Sequence, residues 1–118
     1  MYVQGFLLAV PEGKKDDYRK IAQAAWPKFR EYGALETVEA WEDNVADGKV
    51  TDFRKATKAE AGEKIVFSWI CWPDRATCDA AAEKMMNDPD FAAMGEMPFD
   101  GMRMMWGGFE PIWVKGRD

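Results

Sequence analysis

Ile65-Val66-Phe67-Ser68-Trp69-Ile70-Cys71-Trp72 decides the fold. Side chains alternate along an extended chain. Ile65, Phe67, Trp69 and Cys71 therefore point to one side, and Val66, Ser68, Ile70 and Trp72 to the other. The stretch has the length of a buried strand, with a polar run before it and Pro73-Asp74 behind it. Both sides are apolar, so both need covering.

Upstream, Tyr2 to Val10 has the same two-sided character. Tyr2, Phe6, Leu8 and Val10 oppose Val3, Leu7 and Ala9, and Pro11-Glu12-Gly13 ends the strand. Tyr18, Ile21, Ala22, Ala25, Phe29 and Tyr32 then recur at helical spacing, predicting a helix from about Lys14 to Tyr32. Asp16 and Asp17 suit the positive end of its dipole and Gly33 its stop. Pro27, lacking an N–H, should kink it. Leu35 to Glu42 returns to strand character, with Leu35, Thr37, Glu39 and Trp41 on one face. The polar connection from Asp43 to Glu63 is far longer than usual, so it has local structure or a function.

Downstream, Pro73-Asp74 opens a second helix with Asp74 as its N-cap. Cys78, Ala81, Ala82 and Met85 form the apolar stripe, and Asp88-Pro89 ends it. A short helical turn is expected around Phe91 to Met94. Pro98-Phe99-Asp100-Gly101 reads as a turn into a last strand from Met102 to Trp106, broken by Gly107-Gly108. Phe109 to Val114 is an apolar tail that has to dock on something.

The order strand, helix, strand, strand, helix, strand is that of an α+β, ferredoxin-like βαββαβ domain. Its four-stranded antiparallel sheet carries helices on one face. Two strands apolar on both sides would then expose a larger patch than a monomer tolerates. A second copy under two-fold symmetry is the simplest cover, so a sheet-to-sheet homodimer is expected. The alternative is that the long connection and the tail cover that face within one chain.

A single domain over residues 1–118 accounts for the length, and 47% hydrophobic residues exclude disorder. The longest apolar run, Phe6 to Val10, is far short of the ~20 residues of a membrane helix. Net charge is −5, with 21 acidic and 16 basic residues and no cationic stripe, so neither nucleic acid nor a membrane is an expected partner. Met1-Tyr2-Val3-Gln4-Gly5 shows no basic stretch of a secretory signal, and a cytoplasmic location is expected. Cys71 and Cys78 are then expected as packed core thiols. There is no histidine. That removes Ser-His-Asp and Cys-His nucleophiles, His-ligated zinc and proximal-His haem. No metal and no bound cofactor is expected, so any catalysis falls to carboxylates, Tyr, Cys, Lys, Arg or the ligand itself.

Several blocks carry a resemblance: Gly5-Phe6 through Val10-Pro11, Tyr32-Gly33-Ala34, Asp47-Gly48-Lys49-Val50-Thr51-Asp52-Phe53, Phe67-Ser68-Trp69 and Met97-Pro98-Phe99-Asp100-Gly101. Together they resemble the YbaA-like family of uncharacterised bacterial proteins across nearly the whole chain. The resemblance implies a dimeric α/β barrel and brings no activity with it. The wider barrel superfamily includes cofactor-free monooxygenases, haem-degrading proteins and dimeric modules without a known reaction. Haem-degrading members typically present a His to iron, which this sequence lacks.

Glu39, on a partly buried sheet face, is a candidate general base or ligand-orienting group, or else one half of a dimer-spanning ion pair with Arg103, or an edge position open to water. Arg103 in the last strand suits a bidentate clamp on a carboxylate or phosphate, or equally a salt bridge. Asp43, Asp47 and Asp52 invite a calcium loop, but Val45 and Arg54 occupy positions that need oxygen ligands. Asp52 is then a loop-fixing acceptor, and with Phe53 a candidate lid over a ligand. Trp41, Trp69 and Trp106, with seven methionines from Met85 to Met105, are candidates to wall a pocket for a flat apolar or aromatic molecule. Two functions fit: a dimer that binds or transforms such a molecule, and a non-catalytic module serving a protein partner or sensing a metabolite.

Overall fold

The alternation in the two long strands builds the sheet. The computed structural model describes residues 1–117. Its strands are β1 (Tyr2–Pro11), β2 (Glu36–Trp41), β3 (Glu63–Trp72) and β4 (Met105–Phe109). The helices are α1 (Lys15–Glu31), α2 (Phe53–Thr57), α3 (Arg75–Met86) and α4 (Pro89–Ala92), with 3-10 turns at Glu12–Lys14 and Gly101–Arg103. All pairings are antiparallel, in the order β2-β3-β1-β4. The fold is thus α+β and consistent with the ferredoxin-like arrangement, with α2 and α4 added to the basic frame.

One face of the sheet holds the core. Leu8 and Val10 of β1 and Val66, Ile70 and Trp72 of β3 are buried there beneath the helix layer, where Trp72 meets Cys78 and Ala81 of α3. Cys71 and Cys78 are both buried and unbonded to each other. Gly33 ends α1 at φ +107°, and a Cβ there would lie 2.6 Å from Thr77 Cγ2. The residue is required both for its left-handed backbone and for the closeness of α3. Asp74 caps α3, accepting a hydrogen bond from the Thr77 N–H at 2.7 Å. The helix α1 continues through Pro27 to Glu31.

The long connection contains α2, whose N-cap is Asp52. Its carboxylate accepts from the N–H groups of Lys55 at 2.7 Å and Gly48 at 2.9 Å. Both bonds hold its pKa below the usual carboxylate range. This short helix lies on the face away from α1, where Phe53 meets Phe67 edge to face at 6.2 Å. At the opposite end of that face the tail after β4 comes back to pair Arg117 with Glu36 at 3.5 Å. Ala9, Ile65 and Cys71 are buried on this side, while its middle stays open, with Phe67 50% and Phe109 62% exposed.

The last strand differs from its sequence expectation. Residues Gly101–Arg103 form a 3-10 turn because Asp100 accepts from the Met102 N–H through its side chain and from the Arg103 N–H through its carbonyl. The strand starts only at Met105 and runs through Gly107-Gly108 rather than breaking there. These glycines make room for rings: a Cβ on Gly108 would lie 1.9 Å from Tyr2 Oη, and one on Gly107 3.4 Å from the Phe109 ring.

Candidate functional site

Between the sheet and the helix layer lies a cavity of about 290 Å³. The sheet supplies its floor through Phe6, Leu8, Ser68 and Ile70. The helix α1 supplies one wall, through Tyr18, Ile21, Ala22, Ala25 and Phe29. The segment after α3 closes the other side with Phe91, Met94, Met97, Phe99 and Met104. Small alanines on α1 leave the space that larger side chains would fill.

That closing segment has little regular structure but is fixed at both ends. At its start, Asp88 is buried and caps α4, accepting from the Asp90 N–H at 2.8 Å. The same carboxylate accepts the Tyr32 hydroxyl and pairs with Lys28 at 3.2 Å. The Tyr32 bond holds the Asp88 pKa low. At the far end, Arg103 donates to both oxygens of Glu63 at 2.8 Å each, to Asp100 at 3.0 Å and to the Lys58 carbonyl at 3.0 Å. Within the cavity, the rings of Phe29 and Phe91 stack at 5.7 Å, and Phe99 meets Tyr18 edge to face at 5.8 Å.

Polar groups enter this apolar space at one place. Glu39 on the edge strand β2 stands directly opposite Ser68 on β3. The Tyr18 hydroxyl donates to Glu39 Oε2 at 2.7 Å. Burial lifts the Glu39 pKa above the usual glutamate value, against hydrogen bonds with Tyr18 and Ser68 that lower it. Burial and the neighbouring Glu39 charge also hold Tyr18 firmly protonated. Glu39 also lines an outer groove between α1 and β2, beside Arg19, Gln23, Trp26, Leu35, Glu36 and Thr37. As an exposed residue of the edge strand β2 it meets solvent through this groove, while its carboxylate borders the cavity on the other side. Screening from the groove limits how far burial moves its pKa. A carboxylate offers about four lone pairs, and Tyr18 and Ser68 leave about two of these sites for a ligand.

Of the polar and aromatic candidates singled out from sequence, Glu39 lines the cavity and the others do not. Arg103 sits in the 3-10 turn, not in a strand, and is committed to Glu63 and Asp100 rather than to Glu39. The three tryptophans do not meet. Trp41 packs beside Leu8, Val10 and Val66, with Lys15 over its ring at 5.6 Å. Trp69 lies on the opposite sheet face, donating to Glu36 at 3.3 Å. Trp106 is 66% exposed on the edge strand β4. Asp52 caps α2, and Phe53 leans on Phe67, so both are remote from the cavity. Four methionines, Met85, Met94, Met97 and Met104, do line it, alongside phenylalanines rather than tryptophans. Tyr18 and Ser68 are not among the sequence candidates. Ser68 was the available signal, a hydroxyl within an otherwise apolar strand. Among the described residues no cluster of His, Cys, Asp or Glu is arranged to hold a metal ion, and no helix is long and apolar enough to cross a membrane.

The sequence matches the family described as "Protein of unknown function (DUF1428)" over residues 1–101. The chain belongs to the DUF1428 family. The "Uncharacterized protein YbaA" of Escherichia coli (strain K12) is 58% identical to it over 112 residues, 94% of this chain and 96% of that protein. The proteins of the same name in Escherichia coli O157:H7 and Shigella flexneri match to the same extent. The DUF1428 match takes in Tyr18, Glu39, Ser68 and the cavity wall as far as Phe99, whereas Met104 and β4 lie beyond it.

Proposed function

We propose that this protein binds a small, flat, largely apolar molecule in the cavity between α1 and the sheet, held by a polar group that meets Glu39 and Tyr18. The observation that carries this reading is the Tyr18–Glu39 hydrogen bond at the edge of an otherwise apolar, methionine- and phenylalanine-lined space. Most of a ligand's affinity comes from apolar contact, while a few polar groups fix its orientation. Methionine walls adapt to the outline of such a ligand. β-Naphthol is the direct probe, because its hydroxyl can donate to Glu39 and its fluorescence reports burial. Saturable binding that is tighter than that of naphthalene, and lost in A25L, supports the reading. Equal binding of the two probes, or no effect of A25L, contradicts it.

The binding unit in this reading is a homodimer formed through the open middle of the other sheet face. Gly5, Leu7, Met105 and Gly107 form a shallow apolar depression there, flanked by Phe67 and Phe109. Its two protruding rings beside a glycine-floored hollow suit a self-complementary contact under a two-fold axis. Ile112 and Trp113 in the tail that follows β4, 98% and 80% exposed, are further apolar side chains that a partner would cover. Native mass spectrometry of the full chain tests this part, with a dimer expected and a monomer contradicting it.

A further inference from the structure

Resting on that binding site, we infer that Glu39 is a general base that moves a proton on its ligand, so that the protein catalyses enolisation of small apolar ketones with an acidic α C–H. Three features of the geometry carry this. Glu39 presents a carboxylate to an apolar cavity, and Tyr18 holds that carboxylate at 2.7 Å. The Tyr18 hydroxyl, with the Ser68 hydroxyl beside it across the strand pair, is a donor at the same spot that can serve a carbonyl oxygen. Finally, Glu39 opens behind into the groove between α1 and β2, so a proton taken inside can be exchanged with water outside. A base enclosed on every side lacks that route.

The step balances without an oxidant or a second substrate. A Glu39 oxygen takes the α proton, and the C–H electron pair becomes the C=C bond of the enolate. The carbonyl π pair moves onto oxygen, where the Tyr18 hydroxyl turns from Glu39 to donate to it. Return of a proton to the same carbon gives exchange, and its delivery to a conjugated carbon gives a double-bond isomer. A carboxylate with a pKa above the ordinary glutamate range is the better base for this purpose. Tyr18 from α1, Arg19, Gln23, Glu36 and Thr37 along the groove, and Ser68 from β3 are polar and charged groups around it.

The test uses β-tetralone and the full-length protein. Binding is measured first, by saturation-transfer NMR, and then loss of the α protons in D2O is followed against a buffer blank. The expected result is catalysed exchange that falls by ~100-fold or more in E39Q while β-tetralone still binds. Its rate should rise with pH through a single ionisation above 4.5. E39D, keeping the carboxylate, should recover part of the rate, and circular dichroism checks that each variant is folded. Binding without catalysed exchange, or exchange at the wild-type rate in E39Q, overturns the inference and leaves the binding site standing. No binding of β-tetralone, together with none of β-naphthol, overturns both.

Discussion

Arg103 and Glu63, 40 residues apart, meet fork to fork, with 2.8 Å from each guanidinium nitrogen to its carboxylate oxygen. The pair joins the start of β3 to the turn that carries the last cavity-lining residues. Arg103 holds the Glu63 pKa down to about 2. The unfolded chain therefore binds a proton there first, and this part of the stability is lost as pH falls from about 4.5 towards about 2. In E63Q the acid limb of stability against pH should lose the slope of about one proton, as read by urea unfolding. R103M leaves a buried carboxylate without its partner and should lower the melting temperature at neutral pH by ~5 °C or more.

Glu39 has the opposite sign. Its folded-state pKa is raised, so its folded form holds a proton longer than the unfolded chain, and stability falls as pH rises through the window above 4.5. E39Q keeps an oxygen for Tyr18 and removes the charge. Its melting temperature at pH 7 should equal or exceed that of the wild type, with the difference shrinking in acid. A site built for function commonly carries such a penalty.

Filling the cavity should separate stability from binding. Ala25 is buried and faces the space directly. A25L places a larger apolar side chain there and should stabilise the fold by ~1 kcal/mol while β-naphthol binding is lost. Thermal melting and fluorescence titration of the same sample check both halves.

On the other sheet face, Phe67 is 50% exposed although it sits on the central strand β3. F67E puts a charge at the middle of the proposed dimer contact. Dissociation should strengthen by ~30-fold or more, as for a contact at the heart of an interface. Sedimentation across a concentration series reads this, and the monomer should keep its helical circular dichroism.

Much of this molecule is legible in its sequence because the relevant physics is local. Alternation in Tyr2–Val10 and Ile65–Trp72, the stripe along α1, Gly33 as its stop and Asp74 as a cap all stand where residue type and spacing indicate. The candidate site was harder because it depends on which strand faces meet. Trp41 and Trp69 both look like pocket walls, yet β2 pairs Val38, not Trp41, with Trp69, and the two rings end on opposite faces. Arg103 looked free to clamp a ligand because its partner, Glu63, lies 40 residues away in sequence. Tyr18 reads as one more residue of an apolar helix stripe, since only the approach of α1 to β2 gives its hydroxyl a partner in Glu39. Gly107-Gly108 reads as a break until the rings of Tyr2 and Phe109 are seen lying against it.

The most direct measurement is the titration of the Glu39 carboxyl carbon by NMR, assigned through E39Q, with and without β-naphthol. The expected result is an ionisation above the ordinary glutamate value of 4.5 in the free protein, and a shift of this one carboxyl signal when β-naphthol binds. An ordinary ionisation, with no response to β-naphthol or to β-tetralone, would contradict the assignment of Glu39 and Tyr18 as the polar heart of a binding site.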